Sequence, residues 1–154
     1  MIRLKSLLKS LAISLGTGIL SAIFTMGSMD IYKSINKPSL SPPSWLFTIV
    51  WTILFILMGI SSYLVYESVS DRKDIALKVY GLQLIFNFLW TIIFFNVKLY
   101  LFSFFWILLL LVLNLIMILF FYKIKPIAAY LQIPYFLWTT FAAYLNLMIY
   151  VLNR

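Results

Sequence analysis

The sequence predicts an all-α membrane protein, a bundle of five transmembrane helices, and three observations lead there. The 154-residue chain is 64% hydrophobic and only 10% charged, with a mean hydropathy of +1.06, so it lacks the polar surface to cover itself in water. It contains five runs of roughly 20 apolar residues, the length a helix needs to cross hydrocarbon about 30 Å thick. The runs are continuously apolar rather than alternating, which argues against a barrel. Each must therefore pair its own backbone N–H and C=O groups as a helix.

The first span, 7–26, follows Arg3, Lys5 and Lys9. A basic start before an apolar run is also the form of a secretory signal peptide, but no small-x-small cleavage pattern ends the run and four more spans follow. Ser14, Gly18 and Ala22 place small residues on one helical face, as close packing against neighbours requires. The second span, 44–66, is expected to begin with Ser41 as N-cap and Pro42 as its first helical residue. The third and fourth spans are read at 75–95 and 99–122. In the fifth, 126–152, Pro134 removes a donor and frees the carbonyl of Tyr130, so a kink is expected early in the span. No hydrophilic stretch is long enough for a second domain and no internal repeat is visible, so the chain reads as one domain over 1–154.

Charge and missing residue types narrow the chemistry. Cysteine and histidine are both absent, which removes disulfides, thiolate chemistry, histidine-ligated metals and any base titrating near neutral pH. The net charge of +8 comes without a basic cluster interleaved with polar residues, so it indicates orientation in a membrane rather than nucleic acid. Arg3, Lys5, Lys9, Arg72, Lys73, Lys78, Lys123 and Lys125 fall on one side, and Lys33, Lys37, Lys98 and Arg154 on the other. That asymmetry places the N-terminus inside, and the short basic start, without a mitochondrial-type presequence, points to a bacterial plasma membrane. The acidic residues Asp30, Glu67, Asp71 and Asp74 lie in or beside loops, and no carboxylate or lysine is mid-span. A transporter driven by an intramembrane charge relay and an ordinary acid–base or nucleophilic enzyme are both disfavoured.

The connection 29–45 between the first two spans is far longer than the other turns. Loops of this length without strong structure are usually functional or disordered, and Pro38, Pro42 and Pro43 make this one stiff. Spacing within the spans then gathers candidate ligand contacts. Trp51 and Phe55 are four apart, Asn87, Trp90 and Phe94 three and seven apart, and Trp138, Ala142 and Leu145 four and seven apart, so each set shares one helical face. If those faces meet, they enclose an aromatic pocket with a few polar handles, the usual make-up of a ligand cavity. Indole faces suit a planar π-system, and an indole N–H donates to a carboxylate or carbonyl. The competing reading is interfacial anchoring or helix packing, which suits Trp45 and Trp106. Asn87 reads equally as packing or ligand contact, and Asn146 as packing. The segment 147–154 fits a loose pattern proposed for sterols, too weak to assign one.

Several of these segments together carry a resemblance. The loop pattern from Tyr32 through Lys37-Pro38 to Pro42-Pro43, followed by Phe47, Trp51, Phe55, Met58-Gly59 and Tyr63-Leu64-Val65, resembles the first loop and second helix of the translocator protein / tryptophan-rich sensory protein (TspO/MBR) family. Gln83-Leu84, Asn87, Trp90 and Phe94-Phe95 are similar to its third helix. Pro134-Tyr135-Phe136-Leu137-Trp138 and Phe141 to Asn146 are similar to its last. The resemblance implies a bacterial-type membrane receptor or sensor whose long first loop caps an aromatic pocket binding porphyrin, haem and other hydrophobic ligands of isoquinoline or benzodiazepine type. It implies Tyr32, Pro42, Trp51, Phe55, Asn87, Trp90, Phe94, Trp138, Ala142 and Leu145 as ligand contacts, with no metal and no tightly bound cofactor. Two further activities follow from the same resemblance: light-dependent porphyrin degradation with Trp51 and Trp138 as redox-active side chains, or transport of tetrapyrroles or lipids. It also implies a possible homodimer, for which Gly59 with Ser62 or the small face of the first span are candidate contacts.

Overall fold

The computed structural model describes residues 3–154, and among them five helical segments are long and apolar enough to cross a membrane: Leu4–Ser28, Ser44–Tyr66, Lys73–Val97, Tyr100–Ile124 and Pro126–Leu152. The all-helical bundle expected from the uninterrupted apolar runs is the observed fold. The elements are α1 (Leu4–Thr25), α2 (Met29–Ser34), α3 (Ser44–Tyr66), α4 (Lys73–Ile92), α5 (Tyr100–Ile124), α6 (Pro126–Tyr130) and α7 (Ile133–Leu152). A 3₁₀ turn, Met26–Ser28, joins α1 to α2, and a π-helical turn, Ile93–Val97, extends α4. That turn ends at Lys98, whose φ of 60° is left-handed.

Three local expectations are corrected. The second span begins at Ser44, with Pro43 extended at the cap position (φ −62°, ψ 149°); Ser41 Oγ makes no hydrogen bond. The reason is Pro43 itself, since a residue that precedes proline is pushed out of the α region and Pro42 therefore cannot open the helix. The long loop is also not irregular throughout, because its first part folds into α2. Finally, the fifth span is broken rather than bent. α6 stops at Tyr130, Leu131 and Gln132 form a turn closed by Gln132 N–H to the Ala129 carbonyl at 3.0 Å, and Pro134 lies in the first turn of α7, where no N–H is required of it.

The helices close into a ring in which α1 touches α3 and α4, α5 touches α4 and both parts of the fifth span, and α3 meets α6 and, most sparsely, α7. The α1–α3 contact is the most extensive, and glycine permits it. A Cβ on Gly59 would lie 2.6 Å from Ser14 Oγ and 3.0 Å from Leu11 Cα, and one on Gly18 would lie 2.6 Å from the Phe55 ring. Gly59 and Ser62 are thus spent on packing within the chain, which corrects their assignment to a dimer contact. Ala22 is exposed and shares none of this packing, unlike the buried Ser14. Two apolar clusters fill the ring: Leu54, Phe55, Met58, Met117, Phe121 and Tyr135 with their neighbours towards the 67–72 end, and Tyr32, Trp90, Phe94, Ile107, Leu110 and Ala142 with theirs towards the first loop.

Candidate ligand-binding site

α2 and the irregular 35–43 segment lie over the end of the ring and are tied down from both sides. Asn36 N–H donates to Asn153 Oδ1 at 3.0 Å, and Asn153 Nδ2 returns a bond to the Asn36 carbonyl at 2.8 Å. Ser28 Oγ pairs with Asn96 Oδ1 at 2.8 Å, and Asn96 Nδ2 reaches the Phe24 carbonyl at 2.8 Å. Lys37 folds back so that its ammonium donates to the Tyr32 carbonyl at 3.0 Å and stands 4.8 Å from the centre of the Tyr32 ring, a cation–π contact. Tyr32 thereby hangs inward from the loop. Its ring meets Phe47, Phe94 and Phe95 at centroid distances of 6.3, 6.3 and 5.5 Å, and burial pushes its phenol above the ordinary value.

The expected site residues divide between the two clusters. Tyr32, Trp90, Phe94 and Ala142 meet beneath the loop, with Trp51 packed against them. Phe55 belongs to the other cluster, where Trp51 and Trp138 also pack. Trp51 therefore touches both, 5.7 Å from Phe55 and 6.1 Å from Tyr135 between ring centres. Leu145 is buried outside both clusters, and Pro42 is half-buried in the loop. Phe47, Phe95 and Tyr135 were not among the expected contacts, yet they connect the others. Phe47 was within reach of the spacing argument, being four residues before Trp51; Phe95 was not, because the π-helical turn re-aims the end of the third span.

These side chains form a filled aromatic cluster, not the open pocket that sequence spacing suggested. The space left between Tyr32, Ile35, Phe94, Phe95 and Tyr100 is about 10 Å³, because aromatic rings on facing helices close onto one another at interior density. A much larger space, about 460 Å³, is an apolar groove on the outer side of the α3–α7 seam, lined by Val50, Leu54, Leu57, Pro134, Leu137 and Trp138 among others. Trp138 borders this groove and also reaches inward, 5.7 Å from Phe47.

The polar handles are mostly engaged. Trp90 Nε1 donates to Asn146 Oδ1 at 3.1 Å, Ser103 Oγ donates to the same oxygen at 2.9 Å, and Asn146 Nδ2 donates to the Tyr100 carbonyl at 2.7 Å. Asn146 thus joins the third, fourth and fifth spans, the packing role read from its position. Asn87 Nδ2 donates to the Tyr135 hydroxyl at 2.9 Å, which in turn donates to Gln83 Oε1 at 2.8 Å. Trp106 stacks on Phe86 at 4.6 Å and donates to the Phe86 carbonyl at 3.0 Å, holding α4 to α5, while Trp45 is exposed. Trp138 differs from Trp90 and Trp106: its Nε1 is buried and has no acceptor.

Comparison with known proteins identifies the family. Residues 10–152 match the model of the TspO/MBR family. The chain is 33% identical to a tryptophan-rich protein TspO of Archaeoglobus fulgidus over 148 residues, covering 96% of each. It is 32% identical to the translocator protein of Sus scrofa over 145 residues, 92% of this chain and 85% of that one. It is also 32% identical to the tryptophan-rich sensory protein of Cereibacter sphaeroides over 115 residues, 75% of this chain and 72% of that one.

Proposed function

The chain belongs to the TspO/MBR family and is an integral membrane protein, and from that premise we propose that it is a receptor or sensor for a porphyrin, haem or another planar hydrophobic molecule. The ligand enters the aromatic cluster beneath the first loop, between Tyr32, Phe47, Trp51, Trp90, Phe94 and Trp138. The observation that carries this reading is the indole N–H of Trp138, a buried donor without an acceptor at the end of a continuous run of rings through Phe47 and Tyr32 to Phe94. A buried unpaired donor is costly, and a ligand carboxylate or carbonyl would relieve it while the rings stack on the macrocycle. Because the rings fill the space, binding requires Tyr32 and the loop that carries it to move, opening a cleft of ligand size. The N-terminus, Arg72 with Lys73, and the basic 123–125 turn share one end of the bundle, which supports an inward N-terminus with the first loop outside, and we place the protein in a bacterial plasma membrane.

Titration of the detergent-purified protein with protoporphyrin IX in darkness tests the reading through tryptophan fluorescence. Saturable quenching is expected, with a weaker affinity for Trp138→Phe, which keeps an aromatic ring and loses the donor. Absence of saturation in the wild type would overturn it. Trp51 and Trp138 both border the cluster, which favours photochemistry as a second activity. Illumination in air should then bleach the porphyrin with the wild type and not with the Trp51→Phe, Trp138→Phe double variant.

A further inference from the structure

Several cations of the chain are committed to partners within it. Arg3 pairs with Glu67 at 3.3 Å and Lys33 with Asp30 at 3.0 Å. Lys37 holds the Tyr32 carbonyl, and Lys73 reaches the Ser68 carbonyl and stands over the Tyr66 ring. Lys123 and Lys125 differ. Both are exposed, and among the described residues neither side chain has a hydrogen bond, an ion pair or a ring contact. Their backbone is nevertheless fixed. Lys123 lies in the last turn of α5, and Lys125 is extended (φ −153°, ψ 102°) because it precedes Pro126. The Lys125 N–H donates to the Phe121 carbonyl at 2.7 Å, and its own carbonyl accepts from the Ala128 N–H at 2.9 Å. The Ala128 carbonyl accepts in turn from Ser61 Oγ at 2.7 Å, fastening α6 to α3.

Two tyrosines flank this turn. Tyr122 of α5 and Tyr130 of α6 meet edge to face at 6.1 Å between ring centres, both more than half exposed, and neither hydroxyl is hydrogen-bonded among the described residues. Tyrosine at the membrane interface keeps its ring against hydrocarbon and its hydroxyl among headgroups. Leu119 and Leu115, three and seven residues before Tyr122, continue its helical face towards the membrane interior and are exposed. Two ammonium groups and two phenol donors thus stand above an apolar row. Phosphate oxygens accept from both kinds of donor, and only a molecule that also carries chains covers the row. Of the acidic residues at this end, Glu67 is taken by Arg3, and neither Asp71 nor Asp74 pairs with either lysine. Membrane orientation accounts for cations at this end, but not for two left free on a rigid turn beside a tyrosine pair. We propose that Lys123, Lys125, Tyr122 and Tyr130 bind the headgroup of an anionic phospholipid, with an acyl chain along Leu119 and Leu115. Basic sites on the cytoplasmic side of helix bundles take such headgroups. The site is remote from the first loop and independent of the porphyrin reading.

Native mass spectrometry of the full-length protein tests this, with phosphatidylglycerol and phosphatidylcholine of identical chains supplied in equal amounts in detergent. The wild type is expected to retain one phosphatidylglycerol severalfold more than phosphatidylcholine. The Lys123→Gln, Lys125→Gln double variant should lose about fivefold of that affinity for each lysine, the effect of one cation near an anionic surface, with phosphatidylcholine retention unchanged. Both side chains are exposed and bond to nothing, so its melting temperature without lipid should match the wild type. The Lys5→Gln, Lys9→Gln variant removes the same charge from the same end and should keep most of the phosphatidylglycerol. Equal retention of the two lipids by the wild type overturns the site. Equal loss in the two double variants does so too, since it shows diffuse attraction to the basic end. Displacement of phosphatidylglycerol by millimolar inorganic phosphate would assign the turn to a free anion and overturn the lipid assignment.

Discussion

At the scale of single residues, the decisive distinction is between polar groups that hold helices together and polar groups left for something else. Asn146 belongs to the first kind, accepting from Trp90 and Ser103 and donating to the Tyr100 carbonyl. Asn146→Leu keeps the volume but strands the Trp90 indole, while Ser103 keeps the Tyr100 carbonyl as acceptor, so a loss of about 1–3 kcal/mol is expected, visible as a lower melting temperature in detergent. Trp138 is of the second kind. Removing one neutral donor is worth about 0.5–1.5 kcal/mol, so Trp138→Phe should weaken porphyrin affinity up to about tenfold and leave the melting temperature nearly unchanged. A large stability loss in that variant would mean the indole is packing alone. The residue types were legible in the sequence, including the mid-span position of both asparagines. Which group finds a partner depends on rings and amides brought from spans far apart in the chain, and no spacing rule contains that.

At the scale of elements, the α1–α3 seam and the first loop carry opposite demands. The seam is tight because Gly59 lets the helix backbones approach, and the contact to Leu11 Cα cannot yield by rotating a side chain. Gly59→Ala should therefore cost about 1–3 kcal/mol. Gly81→Ala, with nothing within 4 Å of the added Cβ, should cost nothing, a pair easily compared by thermal unfolding. The loop, in contrast, is held by a few exposed hydrogen bonds. Asn153→Ala deletes both side-chain bonds that pin Asn36, so amide exchange across 35–43 should accelerate while that of α3 is unchanged; unaltered loop exchange would assign the restraint to Tyr32 and its aromatic contacts instead. Span existence was readable from hydropathy alone, whereas span ends were set by local chemistry, the second proline of Pro42-Pro43 above all. The break before Pro134 was half legible: proline announces a lost bond, and the two-residue turn that answers it depends on Gln132 and Ala129 meeting in space.

At the scale of the whole molecule, the ring of spans gives the protein one end that is basic and compact and one that carries the loop. Because the chain contains no cysteine, single introduced thiols report topology without background. In intact cells Ser39→Cys should react with an impermeant maleimide, and Asp71→Cys only after permeabilisation; the reverse pattern would invert the proposed orientation. The weakest seam of the ring, α3 against α7, also borders the apolar groove of about 460 Å³. Trp138 lines that groove and also packs against Phe47 of the aromatic cluster, so one side chain borders both.

The sequence by itself determined the solvent, the five spans, the family resemblance and the residue types available for chemistry, because each of these is a property of composition, run length or local spacing. Only the tertiary structure decided that the aromatic faces close into a filled cluster, that Gly59 and Ser62 are consumed inside the chain, and that the Trp138 indole N–H is buried without an acceptor. Hydrogen-bond satisfaction and packing density are sums over neighbours contributed by different helices. A helix face read along one segment shows what it offers to such a sum and not what it receives.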